Sequence, residues 1–329
     1  MNLDPSSNRN IPTVPYLSMQ NESDEIDLLE LWQAIWQRKW LIIATTFLSA
    51  VVAILIALQL PNIYTSTATL APSEEQQGRG LFALASQFGG LASLAGVSLG
   101  GGGAADKTAV AVEIAGSRQF MTRFVREHRL EVSLIAVTGM DKTTNELIID
   151  TDMYDSANQR WVREVPKGKS VVPTDWELYK EISKIITVVQ DKKSGFVTVT
   201  ADYYSPSIAK QWVDWFVADL NSYMKNRDQI DSKRNIEYLK KQLEKTAVAD
   251  MQSVFYQLIE QQTKTLMLSE VNPEYVFKTL DPAVVAEEKT KPKRALIVAL
   301  GGVLGGMLGV LLALIQHAVA RRRAGLAAQ

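Results

Sequence analysis

The sequence predicts a mixed α and β domain that carries one long helix and lies between two membrane-spanning helices. Three observations predict this fold class. An uncharged apolar run lies near each end of the chain, strand and helix patterns alternate between the runs, and residues 208–268 contain neither glycine nor proline. Hydrophobic residues make up 47% of the 329 residues, and many of them are concentrated in the two apolar runs.

The two apolar runs, residues 41–60 and 295–315, are predicted transmembrane helices. Neither contains a charged residue. About 20 helical residues cross a hydrocarbon core of roughly 30 Å. A buried core helix is the alternative, but core helices of this length usually keep a polar face. About forty mostly polar residues precede the first run and no small-residue cleavage site follows it, which favours an uncleaved anchor over a signal peptide.

Basic residues beside the spans predict the orientation. Residues 38–39 (Arg-Lys) precede the first span, and three arginines at 321–323 follow the second, so both termini are predicted to be cytoplasmic. The basic residues within 291–294 argue for the opposite orientation of the second span. The segment between the spans exceeds 200 residues, however, and long segments cross a membrane largely regardless of charge.

The N-terminal end is predicted to have two parts. Residues 1–24 are polar and contain proline, which indicates disorder. Residues 25–40 form a predicted interfacial helix, because Trp32, Trp36 and Trp40 lie four residues apart on one face and tryptophan favours the lipid headgroup layer. The alternative is a helix that packs on a neighbouring subunit. The tail, residues 316–329, is short.

The segment from 61 to 204 is predicted to form the base domain. Its predicted elements are a strand at 63–70, helices at 108–128 and 175–184, short strand pieces near 147–150, and a β-hairpin of strands 185–190 and 196–203 around the turn DKKSG. A glycine-rich loop at 78–103 holds nine of the 19 glycines. We predict a mobile loop that contacts lipid, polymer or another subunit, with an ordinary flexible loop as the alternative.

The segment 205–270 is predicted to be one long helix. Ser205 suits the N-cap and Pro206 the first turn. Unbroken, the helix would be about 90 Å long. Because a domain of this size cannot bury such a helix alone, its length predicts a homo-oligomer. The apolar spacing is not a clean heptad, so a two-stranded coiled coil is the weaker option.

The second span contains glycines at a spacing typical of close helix packing in lipid. Gly301, Gly305 and Gly309 lie four residues apart, and so do Gly302 and Gly306. We predict that they pack on the first span of the same or another subunit. The alternative is a glycine-tolerant helix without a specific partner.

The segment 271–294 is predicted to be a stiff, extended connector between the body and the second span. It contains Pro282 and the run Pro292-Lys293-Arg294. Proline restricts both its own backbone and that of the preceding residue, which favours an extended chain.

No pattern indicates a catalytic, cofactor or metal site. The chain has no cysteine and only two histidines, and its net charge of −1 gives no overall field that would attract nucleic acid. Residues 168–170 read GKS, but a P-loop requires a glycine where Arg163 stands. Carboxylates such as Asp150, Asp152 and Asp155 are typical of a solvated surface. The sequence therefore predicts a protein that is not an enzyme.

Two terminal motifs resemble those of a known family. The motif EIDLLELWQAIWQRKWLIIA (residues 25–44) resembles the N-terminal signature of the Wzz family of polysaccharide co-polymerases, the O-antigen chain-length determinants. The motif DPAVVAEEKTKPKRALIVALGGVLGGMLG (residues 281–309) resembles the family's proline-rich segment and glycine-rich second span. The chain departs from the family at Ala286 and Thr290, where further prolines are common. Its glycine-rich loop is more similar to exopolysaccharide relatives, which often carry a tyrosine kinase domain, and the resemblance is to the kinase-free type.

The resemblance implies a fold, a location and partners. The fold is an α+β periplasmic domain with a long projecting helix, plus two transmembrane helices, assembled as a ring-like homo-oligomer. The location is the bacterial inner membrane, with the bulk periplasmic and both termini cytoplasmic. The implied function is non-catalytic: with a Wzy-type polymerase and undecaprenyl-linked polysaccharide, and without a cofactor, the protein sets the length of lipopolysaccharide O-antigen or a related polymer.

Two other functions remain open from the sequence. One is an inner-membrane component of a capsule or exopolysaccharide export machine, because two spans and a long periplasmic helix fit it equally well. The other is a periplasmic glycan hydrolase, which lacks any identifiable site.

Overall fold

A computed structural model describes residues 35–73, 104–141, 143–246 and 248–327, without the side chains of 104–106, 318 and 321–327. The chain divides into two units, one of Met1–Leu55 with Ala295–Gln329 and one of Ile56–Arg294. The predicted disordered segment 1–24, most of the predicted interfacial helix including Trp32, and the glycine-rich loop 78–103 lie outside the described residues.

The described chain contains helices and strands in mixed order. The helices are α1 (Lys39–Gln59), α2 (Ala104–Gly116), α3 (Arg118–Glu127), α4 (Glu131–Ile135), α5 (Asp175–Ile185), α6 (Pro206–Lys245), α7 (Ala249–Val271) and α8 (Arg294–Ala327). The strands are β1 (Tyr64–Pro72), β2 (Val137–Met140), β3 (Leu147–Ile149), β4 (Tyr154–Asp155), β5 (Arg160–Trp161), β6 (Ile186–Gln190), β7 (Val197–Tyr203) and β8 (Phe277–Asp281).

Among the residues that the structure describes, two helices are long and apolar enough to cross a membrane. By length and composition these candidate spans are Lys39–Gln59 and Arg294–His317, with mean hydropathies of 2.7 and 2.4. Together with the mixed domain and the long helix α6, they confirm the predicted fold class. The helix α8 continues beyond the predicted span to Ala327.

The larger unit is built on a four-stranded antiparallel sheet with strand order β6-β7-β1-β8. The predicted hairpin is confirmed, because β6 and β7 pair from Ile186 opposite Ala201 to Gln190 opposite Val197. Burial alternates along β7, so one face of the sheet enters the core and the other is lined by threonines of β1 and β7.

The core lies between this sheet and the helices packed on it. The first half of α6 crosses β1 and β7 and buries Trp212, Phe216 and Leu220. Two phenylalanines of α3, Phe120 and Phe124, each meet Phe216 edge to face, with ring centroids 5.3 Å apart. Such contacts between large buried rings fix where α3 lies on α6.

The predicted helix 108–128 is interrupted. The side chain of Ser117 accepts a hydrogen bond from the backbone N–H of Phe120 and so caps α3, which separates it from α2. Serine favours this N-cap position over a helix interior because its hydroxyl satisfies a free N–H of the first turn. The chain therefore changes direction at Ser117.

The prediction of one unbroken helix over 205–270 is wrong. Helix α6 ends at Lys245 and α7 begins at Ala249 and packs against α6, so the two form a helical hairpin. Thr246 has an extended backbone, and its carbonyl accepts a hydrogen bond from Gln252 at 2.7 Å. Each helix thus buries part of the other, and helix length alone does not require a second subunit.

The loop that contains the GKS sequence is held by a partly buried ion pair. Arg163, whose side chain is 9% exposed, binds both carboxylate oxygens of Glu177 at 3.0 and 2.9 Å and also donates to the backbone oxygens of Ser170 and Val171. Glu177 closes a capping box with Thr174 at the start of α5. Arg163 therefore holds the loop against α5. A P-loop would have a glycine at position 163.

We expect Glu177→Gln to weaken folding by about 1 kcal/mol at neutral pH, because Glu177 is 36% exposed and solvent screens the pair. The Arg163 guanidinium lowers the pKa of Glu177 from 4.5 to about 2. The carboxylate's contribution is therefore complete above pH 4.5 and is lost as the pH falls through 2. Denaturant unfolding of the full chain in detergent should show the gap between variant and wild type shrinking over this range. Glu181→Gln, which breaks only the exposed pair with Lys184, is the control; an equal effect there would contradict the role of Arg163.

Candidate functional site

The glycines of the second span lie against the first span. A Cβ added at Gly301 would come 2.5 Å from the Cβ of Ala53, and one at Gly305 would overlap the Cβ of Ser49. At Gly309 an added Cβ would lie 3.0 Å from the Cα of Ile42. The helices approach so closely at these positions that any side chain larger than hydrogen would force them apart.

Hydrogen bonds accompany this close approach. The Ser49 hydroxyl donates to the backbone oxygen of Gly301 at 2.7 Å. Near the other end of the pair, the Arg38 guanidinium donates to the side-chain oxygen of Gln316. Polar contacts between helices add to van der Waals packing in lipid, where there is no hydrophobic drive for helix association.

The second glycine row occupies a different face. Nothing lies within 4 Å of a Cβ added at Gly302, and at Gly306 only the hydroxyl of Thr46 does, at 3.5 Å. The structure therefore brings Gly301, Gly305 and Gly309 onto α1 and leaves Gly302 open within the described residues. We propose that the first row is the packing face of the spans.

The predicted connector is partly strand and is bonded to the sheet domain. Its first part forms β8, which pairs with β1. Pro282 follows β8, and further on the backbone oxygen of Val284 accepts a hydrogen bond from the Ser66 hydroxyl at 2.8 Å. The backbone N–H of Thr290 donates to the Ile63 oxygen at 2.9 Å. This segment is therefore anchored along β1 and is not a free linker.

The end of the connector carries the rest of the predicted motif. Lys291 forms an ion pair with Asp202 at 2.7 Å. After Pro292, Lys293 is exposed and Arg294 begins α8. Of these basic residues, Lys291 pairs with a residue of β7, Lys293 faces solvent, and Arg294 donates a hydrogen bond to Asn62.

Two of the three predicted anchoring tryptophans are described. Trp36 and Trp40 are 61% and 75% exposed. Residues 35–37 are helical, a turn at Arg38 separates them from α1, and the Lys39 ammonium lies 5.2 Å from the Trp36 ring centroid. We propose that these rings lie in the headgroup layer, as the sequence predicts.

The carboxylates of the base domain have local structural contacts. Asp150 accepts a hydrogen bond from the backbone N–H of Asp152, and Asp155 accepts from Ala157 and Asn158. These contacts stabilise turns, and the bonds from Asn158 lower the pKa of Asp155. No group of three or more metal-binding side chains occurs among the described residues.

Sequence reasoning missed a polar cluster on α6. His128 stacks on Trp215 with ring centroids 4.4 Å apart and lies 2.8 Å from the Asp219 carboxylate. Burial raises the pKa of Asp219, while the hydrogen bond with His128 opposes the shift. The cluster joins the end of α3 to α6. The sequence shows that His128 is one of two histidines, but no sequence pattern indicates its contacts with Asp219 and Trp215.

Comparisons with known proteins match both ends of the chain. The model of Wzz, "Chain length determinant protein", matches residues 24–128, and the model of GNVR, "G-rich domain on putative tyrosine kinase", matches residues 241–318. No curated protein sequence matches the chain.

Two solved structures are similar over most of the chain. One is described as a "full-length bacterial polysaccharide co-polymerase" (13% identity, TM-score 0.38, covering 90% of this chain and 99% of that one). The other is a fragment of WzzB, a polysaccharide co-polymerase from Salmonella Typhimurium (15% identity, TM-score 0.26, 70% and 100%). Because both TM-scores are low, these two similarities carry no further argument, and the two family-model matches carry the comparison.

Proposed function

We propose that this chain is a member of the Wzz chain length determinant family and that it sets the length of lipopolysaccharide O-antigen or a related surface polysaccharide without catalysing polymerisation. The observation that carries the proposal is the Wzz match over 24–128, which covers the first span, β1 and the helices α2 and α3. The second match covers α7, the connector and the second span.

We propose that the chain is a two-pass inner-membrane protein with both termini in the cytoplasm and the unit 56–294 mainly in the periplasm. The two candidate spans and the basic residues at 38–39 and 321–323 support this topology. The glycine contacts between the spans supply a reason for their pairing, since they hold α1 and α8 together in lipid.

We propose that the protein acts as a homo-oligomer with a Wzy-type polymerase on undecaprenyl-linked polysaccharide. The helical hairpin supports self-association, because its outer surface exposes large apolar side chains that a lone copy leaves in water: Ile230, Tyr238, Val248, Met251, Tyr256, Met267 and Val271. If these side chains form a contiguous patch, burial against a second copy would remove it from water.

Deleting the gene and separating the surface polysaccharide on a gel tests the proposed function. We expect the polymer to remain present and to lose its preferred length, and the wild-type gene to restore it. An unchanged length distribution would contradict the proposal.

A role in capsule or exopolysaccharide export is the second candidate. The GNVR match favours it, because that model is named for a domain found on a tyrosine kinase, and kinase domains are common in the exopolysaccharide relatives that the glycine-rich loop resembles. If the protein acts in export, the same deletion strain should lose surface polymer, and the length of the remaining chains should be unchanged.

A further inference from the structure

We propose that a cleft in the unit 56–294 binds the phosphate group of an anionic membrane lipid. The cleft has a volume of about 430 Å³, and its walls include Leu58 and Leu60 at the end of the first span, Tyr64, Tyr204 and Arg294. This volume lies within the ordinary range of small-molecule clefts, so the site can hold a lipid headgroup. Lipid binding goes beyond the proposed control of polymer length and does not depend on it.

Arg294 supplies the charge that would bind a phosphate. One terminal nitrogen, Nη2, donates to the side-chain oxygen of Asn62 at 3.2 Å. The Nε atom is buried and has no hydrogen-bond partner within the described residues. A buried donor of a charged group is costly when it lacks an acceptor. A phosphate is well suited to fill this gap, because two of its oxygens can bind adjacent N–H groups of a guanidinium.

The cleft lies at the level where the chain leaves both candidate spans. Gln59 is the last residue of α1 and Arg294 is the first of α8, and both line the cleft. The ends of transmembrane helices lie at the interface between hydrocarbon and water, where lipid phosphates are concentrated. Leu58 and Leu60 add apolar surface suited to the glycerol and upper acyl region of a lipid.

The charge around the cleft favours an anionic lipid. Residues 289–294 contain four basic side chains in six positions, after the acidic pair at 287–288. Asp202, two residues before the cleft residue Tyr204, is already paired with Lys291 at 2.7 Å. A basic segment immediately beside a membrane span attracts anionic headgroups.

Native mass spectrometry of the full-length protein in detergent tests this site. The protein is mixed with phosphatidylglycerol, with phosphatidylcholine, or with phosphatidylglycerol and excess inorganic phosphate. We expect retention of phosphatidylglycerol over phosphatidylcholine, and a loss of about tenfold in Arg294→Gln. Lys293→Gln removes the same charge from an exposed neighbour outside the cleft and should retain the lipid.

A second variant tests the cleft without changing charge. A Cβ at Gly139 would meet Ile148 and Pro61, both in the cleft wall, at an ordinary 3.8 Å, so Gly139→Leu should fill the cleft and also reduce lipid retention. Equal losses in Arg294→Gln and Lys293→Gln would show general attraction to basic charge and overturn the proposal. Wild-type protein that holds both lipids equally, or that loses phosphatidylglycerol to inorganic phosphate, would overturn it as well.

Discussion

We expect Asn221→Ala to destabilise the protein by about 3–5 kcal/mol. Asn221 lies on α6 and is 3% exposed. Its side-chain oxygen accepts from the backbone N–H groups of Val276 and Phe277, both at 2.9 Å, and its amide donates to the Phe277 oxygen at 3.0 Å. Alanine would leave three buried backbone groups without partners at the point where the chain returns from the helical hairpin to the sheet.

Denaturant unfolding of the full chain in detergent, with amide hydrogen exchange at residues 276–277, measures this effect. Asn226→Ala makes the same substitution at an exposed position of the same helix, and we expect a change within about 0.5 kcal/mol. A loss below about 1 kcal/mol in Asn221→Ala, or unchanged exchange at residues 276–277, would contradict the proposed role of the Asn221 hydrogen bonds.

We expect Gly305→Leu to separate the two spans. A side chain at Gly305 would overlap Ser49 and approach the Thr45 backbone oxygen to 3.2 Å, so accommodation requires the helix backbones to move. Because the chain has no cysteine, a pair introduced as Thr46→Cys and Gly306→Cys reports the packing directly. An added Cβ at Gly306 lies 3.5 Å from the Thr46 hydroxyl, which is near enough for a disulfide.

In the cysteine-pair background we expect oxidation to form the disulfide within one chain, and Gly305→Leu to reduce its yield by about tenfold. Gly302→Leu is the matched control, because a Cβ there meets nothing within 4 Å and the disulfide should still form. Equal yields in the two variants would contradict the assigned packing face. A disulfide found only between chains would place the contact between subunits instead.

Features set by local pattern were predictable from the sequence. Three such features are present in the structure: the apolar spans, the alternation of buried and partly exposed side chains along β7, and the helix start at Ser205-Pro206. Each depends on residues that are neighbours in the sequence. Strand β8 was missed because its partner, β1, lies about 200 residues earlier in the chain. No local pattern in FKTLD indicates that pairing.

The break between α6 and α7 could not be predicted from the sequence for a different reason. Residues 246–248 contain neither glycine nor proline, so the usual signs of a helix end are absent. The β-branched Thr246 and Val248 are only weakly unfavourable in a helix. Packing of α7 back onto α6 decides the break, and that contact joins residues such as Lys225 and Glu270, far apart in sequence.

The candidate sites were predictable only in part. Glycine spacing identified the packing residues, but both rows have the same spacing, and only the structure distinguishes Gly305 from Gly302. Asn221 resembles any other polar residue of a helix, since its partners lie 55 residues away. The connector motif drew attention to Arg294, but the cleft beside it is lined by five separate stretches of the chain.

We propose that the chain crosses the inner membrane twice and that the unit 56–294 lies mainly in the periplasm. Lys167 lies in an exposed loop of this unit. Because the sequence contains no cysteine, Lys167→Cys introduces a single thiol at this exposed position. We expect a membrane-impermeant maleimide to label it in cells whose outer membrane alone is permeabilised, while Ser6→Cys stays unlabelled. Labelling of Lys167→Cys only after the inner membrane is broken would contradict the claim.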